Sequence, residues 1–179
     1  IDNTATYTID NTAPLIDLVE INDTIVKTGD AVAINVTLGG ETTATIASLT
    51  AESSALTYNA GTGKWQGTFA AGTSPVNIVA VDTADNVGTN STVTYTIDDI
   101  SPVINSVTLN DTVVKTGDSL LVNVSVTETN VRSVKADGVS LTLDGVYYVG
   151  SVTAGVSPVN VVVVDEADRS ATQNAAYTI

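Results

Sequence analysis

The chain has 179 residues, 43% hydrophobic and 4% aromatic, a length that fits one large or two small domains with apolar content enough for a core. Twenty acidic against six basic residues leave a net charge of −14, which repels phosphate backbones and anionic lipid surfaces and argues against nucleic acid as a partner. With neither Cys nor His, the chain lacks the groups for thiolate or imidazole metal sites, Cys–His or Ser–His catalysis, and haem ligation by these two residues.

The first predicted element, IDNTATYTID at 1–10, resembles the end of something rather than a beginning, because NSTVTYTIDD at 90–99 and QNAAYTI at 173–179 nearly repeat it. Residues 1–10 are therefore expected to be the closing strand of a preceding repeat, with a donor strand that inserts into a neighbouring subunit as the competing reading. From there YTIDNTAP at 7–14 aligns with YTIDDISP at 95–102, and INDTIVKTGDAVAINVT at 21–37 with LNDTVVKTGDSLLVNVS at 109–125, both offset by 88. SPVNIVAVDTADN at 74–86 aligns with SPVNVVVVDEADR at 157–169 at an offset of 83, so the second copy is about five residues shorter in its middle. The expected division is a first domain over 11–98 and a second over 99–179.

Within a copy the period is two. Val32, Ile34 and Val36 alternate with Ala33, Asn35 and Thr37, as Leu120, Val122 and Val124 do with Leu121, Asn123 and Ser125. In the first copy strands are predicted near 15–21, 31–38, 43–50, 54–58, 64–69, 75–82 and 90–97, separated by turn signals such as KTGD, NAGTGK and ADNVG. Helical periodicity appears nowhere, and the longest apolar run, VNVVVVD at 159–165, falls far short of the roughly 18 residues that span a bilayer. About seven short alternating strands per copy predict an all-β chain of two tandem Ig-like (Greek-key) β-sandwich domains. Trp65, with Phe69 on the same strand, and its counterpart Tyr148 are the candidate large anchors of core or rim, packing being favoured over a sugar-stacking platform.

YTIDNTAP at the start of the module, NDTIVKTGD before the second strand and VDTADN before the last strand together resemble the tandem bacterial and archaeal Ig-like repeats of cell-surface proteins, including surface-layer proteins and large adhesins. The resemblance covers residues 11–179, although VDEADR carries Arg169 where that family's corner has Asn. It implies an extracellular, cell-surface location and a structural rather than catalytic role.

Three sets of residues are candidates for chemistry. In an Ig-like strand order Asp98, Asp99, Glu128, Asp165 and Asp168 collect at one pole of the second copy, and converging hard oxygens are what calcium uses; Arg169 stands against a metal there, and the same acids in solvated turns are the simpler reading. Five N-x-S/T triplets, at Asn22, Asn35, Asn90, Asn110 and Asn123, are glycosylation candidates, with Asn35 and Asn123 on the outward phase of their strands. Val79 and Val81, and likewise Val162 and Val164, fall on the face opposite the core and are candidates for lateral packing against another chain.

Paired carboxylates hydrolyse glycosides only in a cleft that desolvates one of them, which two slim sandwiches do not offer, so no enzyme is expected. The expected function is a rigid, non-catalytic building block of a surface layer, sheath or filament, with neighbouring copies or further Ig-like repeats as partners. The alternatives are an adhesin stalk or ligand-binding module, and a carbohydrate-directed accessory module of a secreted enzyme.

Overall fold

A computed structural model of the chain describes residues 9–40 and 45–179. The strand expected over 1–10 therefore lies outside the described residues except for Ile9 and Asp10, as does the start of the one expected over 43–50. Among the described residues there is no helix, and so none long and apolar enough to cross a membrane. The polypeptide divides into two compact units, the first ending at Ile97 and the second spanning Asp98–Ile179.

In the first unit the strands are β1 (Leu15–Ile21), β2 (Ile25–Val26), β3 (Ala31–Gly39), β4 (Ile46–Ala51), β5 (Ser54–Ala55), β6 (Thr57–Asn59), β7 (Lys64–Ala70), β8 (Ile78–Asp82), β9 (Val87–Asn90) and β10 (Thr96–Ile97). One antiparallel sheet has the order β1-β3-β7-β6 and the other β5-β4-β8-β9. Consecutive strands β3 and β4, and β7 and β8, lie in different sheets, which is the Greek-key exchange of an Ig-like or fibronectin III-like sandwich. A short parallel pair of β2 with β10 adds to this.

The second unit repeats the layout with β11 (Val103–Leu109), β12 (Ser119–Thr127), β13 (Val131–Ala136), β14 (Val139–Ser140), β15 (Thr142–Asp144), β16 (Tyr147–Thr153), β17 (Val159–Asp165) and β18 (Ser170–Ala175). Its sheets run β11-β12-β16-β15 and β14-β13-β17-β18, and a single parallel bridge between Val113 and Thr178 stands where the first unit has β2 and β10.

Alternation sets the core. Val32, Ile34 and Val36 of β3 and Val76, Ile78 and Ala80 around β8 are buried together with Phe69 and Tyr95. In the second unit Leu120, Val122 and Val124 meet Val159, Val161 and Val163 between the two sheets. Small β-branched side chains fill the gap because each presents a stiff, compact surface to the facing sheet. Two glycines make room where the sheets come close: a Cβ at Gly67 would meet Leu56 Cδ2 at 2.7 Å, and one at the equivalent Gly150 would meet Leu141 Cδ2 at 2.7 Å.

Two predicted strands are corrected. The segment 54–58 divides at Leu56 into β5, which pairs with β4 in one sheet, and β6, which pairs with β7 in the other. The segment 90–97 is not continuous: β9 ends at Asn90 and β10 begins at Thr96, each pairing with a different partner. Asn90 explains the break, since its Oδ1 accepts from Thr92 N at 2.9 Å and from Thr92 Oγ1 at 2.8 Å, a local turn that competes with the ladder. The ADNVG turn is correspondingly shorter than expected, because Val87 and Gly88 already belong to β9.

Candidate functional site

The candidate site is built at the end of the strand that each unit places in the middle of its second sheet. In β8 the inward phase of Ile78 and Ala80 continues to Asp82, so the alternation carries an acid into the interior, where it is fully buried. A buried carboxylate is tolerated only when its oxygens are bonded. Asp82 Oδ1 accepts from Ala84 N at 2.8 Å and Asn86 N at 2.9 Å, and Oδ2 accepts from Asn86 Nδ2 at 2.9 Å. The turn that delivers these donors needs Asp85 at a φ of 66°, a left-handed conformation that Asp adopts more readily than most residues. Led by the Asn86 side chain, these donors hold the Asp82 carboxyl below its ordinary value of 3.8 against the opposing effect of burial. The same Asn86 Nδ2 also donates to Asp10 O at 3.1 Å, which ties the incoming chain to the corner.

The second unit repeats the acid and changes its partner. Asp165 closes β17 on the inward phase and is fully buried, and its Oδ1 accepts from Arg169 N at 2.8 Å. Its Oδ2 is buried without a hydrogen-bond partner. Arg169 occupies the place of Asn86, but its side chain turns away: Nε donates to Ser101 Oγ at 3.2 Å and Nη1 lies 3.8 Å from Asp99 Oδ1. Around the acid, Asp98, Glu128 and Asp165 each offer a carboxylate oxygen, all within 4.8 Å of one another. Glu128 follows the end of β12, where the first unit has Gly40. Its Oε1 accepts from Thr129 N at 2.7 Å and Asn130 N at 3.0 Å, while Asp98 Oδ1 accepts from Ile100 N at 3.1 Å, so the backbone orients both.

Of the five acids expected to collect here, three do so. Asp168, also left-handed at a φ of 59°, is hydrogen-bonded to Arg132 Nη2, and that bond is the main reason the Arg132 guanidinium is raised above its ordinary value. Asp99 is drawn toward Arg169. The significance of the Asn86-to-Arg169 exchange is not legible in sequence alone, where Arg169 reads only as a charge opposing a cation; in the structure its side chain leaves Asp165 Oδ2 without a donor. The readable signal was the loss of an amide from a corner whose acid is retained.

The other candidates are placed as follows. Asn22 and Asn110 spend Oδ1 on Ala33 N and Leu121 N, both at 2.7 Å, and remain exposed. Asn35 is half-buried with Oδ1 accepting from Gln66 Nε2 at 2.7 Å, and Asn123 is half-buried on β12. Asn90 directs Nδ2, the atom a glycan would take, toward Ile16 O at 3.5 Å. Val79 and Val81 lie on the outward phase of β8 and are half-buried, flanked in register by Thr50 and Thr89, and by Ser48 and Val87. Val162 and Val164 are half-buried between Lys135 and Thr172, and between Ser133 and Ser170. Phe69 is core and Trp65 packs at the margin of that core, while Tyr148 packs at the margin of the second unit's core. Trp65 meets Tyr58 with ring centroids 5.8 Å apart and planes tilted by 59°, which is packing geometry rather than one flat platform.

At the other end of β8, Tyr95 Oη donates to Thr73 O at 2.6 Å and accepts from Gly72 N at 3.1 Å, and in the second unit Tyr177 Oη accepts from Gly155 N at 3.0 Å. These tyrosine hydroxyls fasten the loop before β8 or β17 to the departing chain, a role visible in the sequence only as the recurrence of YTI.

No family model and no curated protein matches the sequence. Among solved structures, the chain is similar to the fibronectin(III)-like modules of Clostridium thermocellum CbhA, with 11% identity and a TM-score of 0.48 over 90% of this chain and 94% of that one. It is also similar to a chimeric titin Z1Z2-Z1Z2 tandem functionalized with a GRGDS peptide from fibronectin, with 12% identity and a TM-score of 0.32 over 93% of this chain and 98% of that one. At these scores the fold assignment rests on the chain's own strand pairing.

Proposed function

We propose that the chain is a non-catalytic structural repeat of an extracellular, cell-surface layer, sheath or filament, with neighbouring copies of itself or further Ig-like repeats as its partners. The observation that carries this reading is that each unit receives the chain at one end of its central strand and releases it at the other. In the first unit Asp10 is held at the Asp82 end of β8, while Tyr95 is held by the loop that precedes Ile78. In the second, Ser101 is bonded to Arg169 past the end of β17, while Tyr177 is bonded to Gly155 ahead of its start. A module built this way can be strung in series without the chain having to double back. The acidic excess keeps such an array hydrated and discourages indiscriminate association.

Electron microscopy of the purified chain, and of the same sequence concatenated, tests this. Ordered filaments or sheets are the expected result. Particles that stay isolated at high concentration would overturn self-assembly in favour of a stalk, and capture on insoluble polysaccharide would favour the carbohydrate-directed module.

A further inference from the structure

We infer that Asp98, Glu128 and Asp165 form a calcium site in the second unit that the first unit replaces with the side-chain amide of Asn86. Two independent observations meet here. The first is the convergence of three carboxylate oxygens within 4.8 Å of one another. Oxygens bound to one calcium at about 2.3–2.6 Å stand no more than roughly 5 Å apart, so this spread is that of a coordination shell. The second is Asp165 Oδ2, an oxygen of a fully buried side chain that has no donor. An anionic oxygen in that position requires a positive partner or a donor.

The first unit shows what belongs at that point. There Asn86 Nδ2 sits 2.9 Å from Asp82 Oδ2 and 3.1 Å from Asp10 O, bridging a buried carboxylate and the backbone carbonyl of the incoming chain. Asp82 aligns with Asp165, Asp10 with Asp98, and Gly40 with Glu128. Where the amide is present, the position of Glu128 carries no carboxylate; where the amide is lost to Arg169, an acid has been added. Donor and cation are alternative solutions for one buried oxygen, and each unit carries the residues for one of them. Asp98 and Glu128 are half-buried, which leaves water access to complete the shell. An all-oxygen, irregular donor set of this kind suits calcium better than magnesium, which demands a tight octahedron. The inference lies within the second unit and stands independently of what the chain assembles into.

Calorimetric titration of the full chain with calcium chloride tests it. The expected result is one calcium per chain with a dissociation constant on the order of 10⁻⁴ M, in the range of extracellular modules. Saturating calcium should then raise the midpoint of the second unit's melting by about 5–10 °C. Asp165→Asn should abolish the heat of binding, and Glu128→Gln, at a half-exposed position that leaves folding intact, should weaken binding at least tenfold. Arg169→Asn restores the amide of the first unit, and should both weaken calcium binding and raise the melting midpoint in chelator. Absence of both heat and midpoint change on adding calcium overturns the site. So does full affinity in both carboxylate variants, or magnesium binding equal to calcium, which would indicate diffuse attraction to an acidic surface.

Discussion

At Asp82 an acid occupies a position that the alternation of β8 reserves for an apolar side chain, and the donors of the following turn make it tolerable. Because those donors lower its pKa in the folded chain, folding releases protons near that value. The stabilisation is complete above the ordinary Asp range and is lost as pH falls through the folded value. Asn86→Ala removes the largest lowering contribution, so acid unfolding of the first unit should begin at higher pH; fluorescence of Trp65, the single tryptophan of the chain, follows that unit alone. Gly88 makes a second residue-level prediction. A Cβ there would stand 1.9 Å from Pro14 O, a backbone atom with little freedom to retreat. Gly88→Ala should cost about 1–3 kcal/mol, measured as a shift in the urea midpoint of the Trp65 signal. The inward acids were legible in VDTADN and VDEADR as recurring letters, but their burial was not, because alternation alone does not reveal which turn supplies donors.

Among the elements, long strands were legible and short ones were not. β3 follows from the alternation of AVAINVT, whose Val32, Ile34 and Val36 are buried as the period requires, whereas in β1 a bulge between Ile16 and Leu18 breaks the period and leaves Leu18 exposed. β2, β10 and the broken stretch after Asn90 have only two to four paired residues or none, too few for a period to register. The hairpin between β4 and β5 turns on Glu52 and Ser53, at φ of 45° and 66°, where the second unit uses Asp137 and Gly138 at 47° and 81°. Both are two-residue turns with left-handed central residues, the type in which glycine is favoured at the second position. Ser53→Gly should therefore stabilise the first unit by about 0.5–1 kcal/mol, read from the same urea midpoint. Of the five acids grouped by strand order, Asp98, Glu128 and Asp165 come together, whereas Asp168 and Asp99 stand beside Arg132 and Arg169. Strand order assigns a residue to an end of the sandwich and says nothing about which guanidinium reaches it first.

At the scale of the whole molecule, the repeat made the twofold organisation readable. A copy of the strand pattern gives each unit its own core, Phe69 and Tyr95 in one and Leu120 and Tyr177 in the other. The differences between copies were harder to interpret, since a change such as Asn86 to Arg169 acquires meaning only when the unsatisfied oxygen beside it is located. The departing chain of each unit runs parallel to the segment after its first strand: Thr96 N donates to Thr24 O at 2.8 Å in one, and Val114 N donates to Thr178 O at 2.9 Å in the other. Tension along the polypeptide drags such neighbours lengthwise, so their hydrogen bonds resist in shear and share the load instead of unzipping in turn. Thr96→Pro deletes one of those donors, and in single-molecule pulling it should lower the rupture force of the first unit while leaving that of the second unchanged.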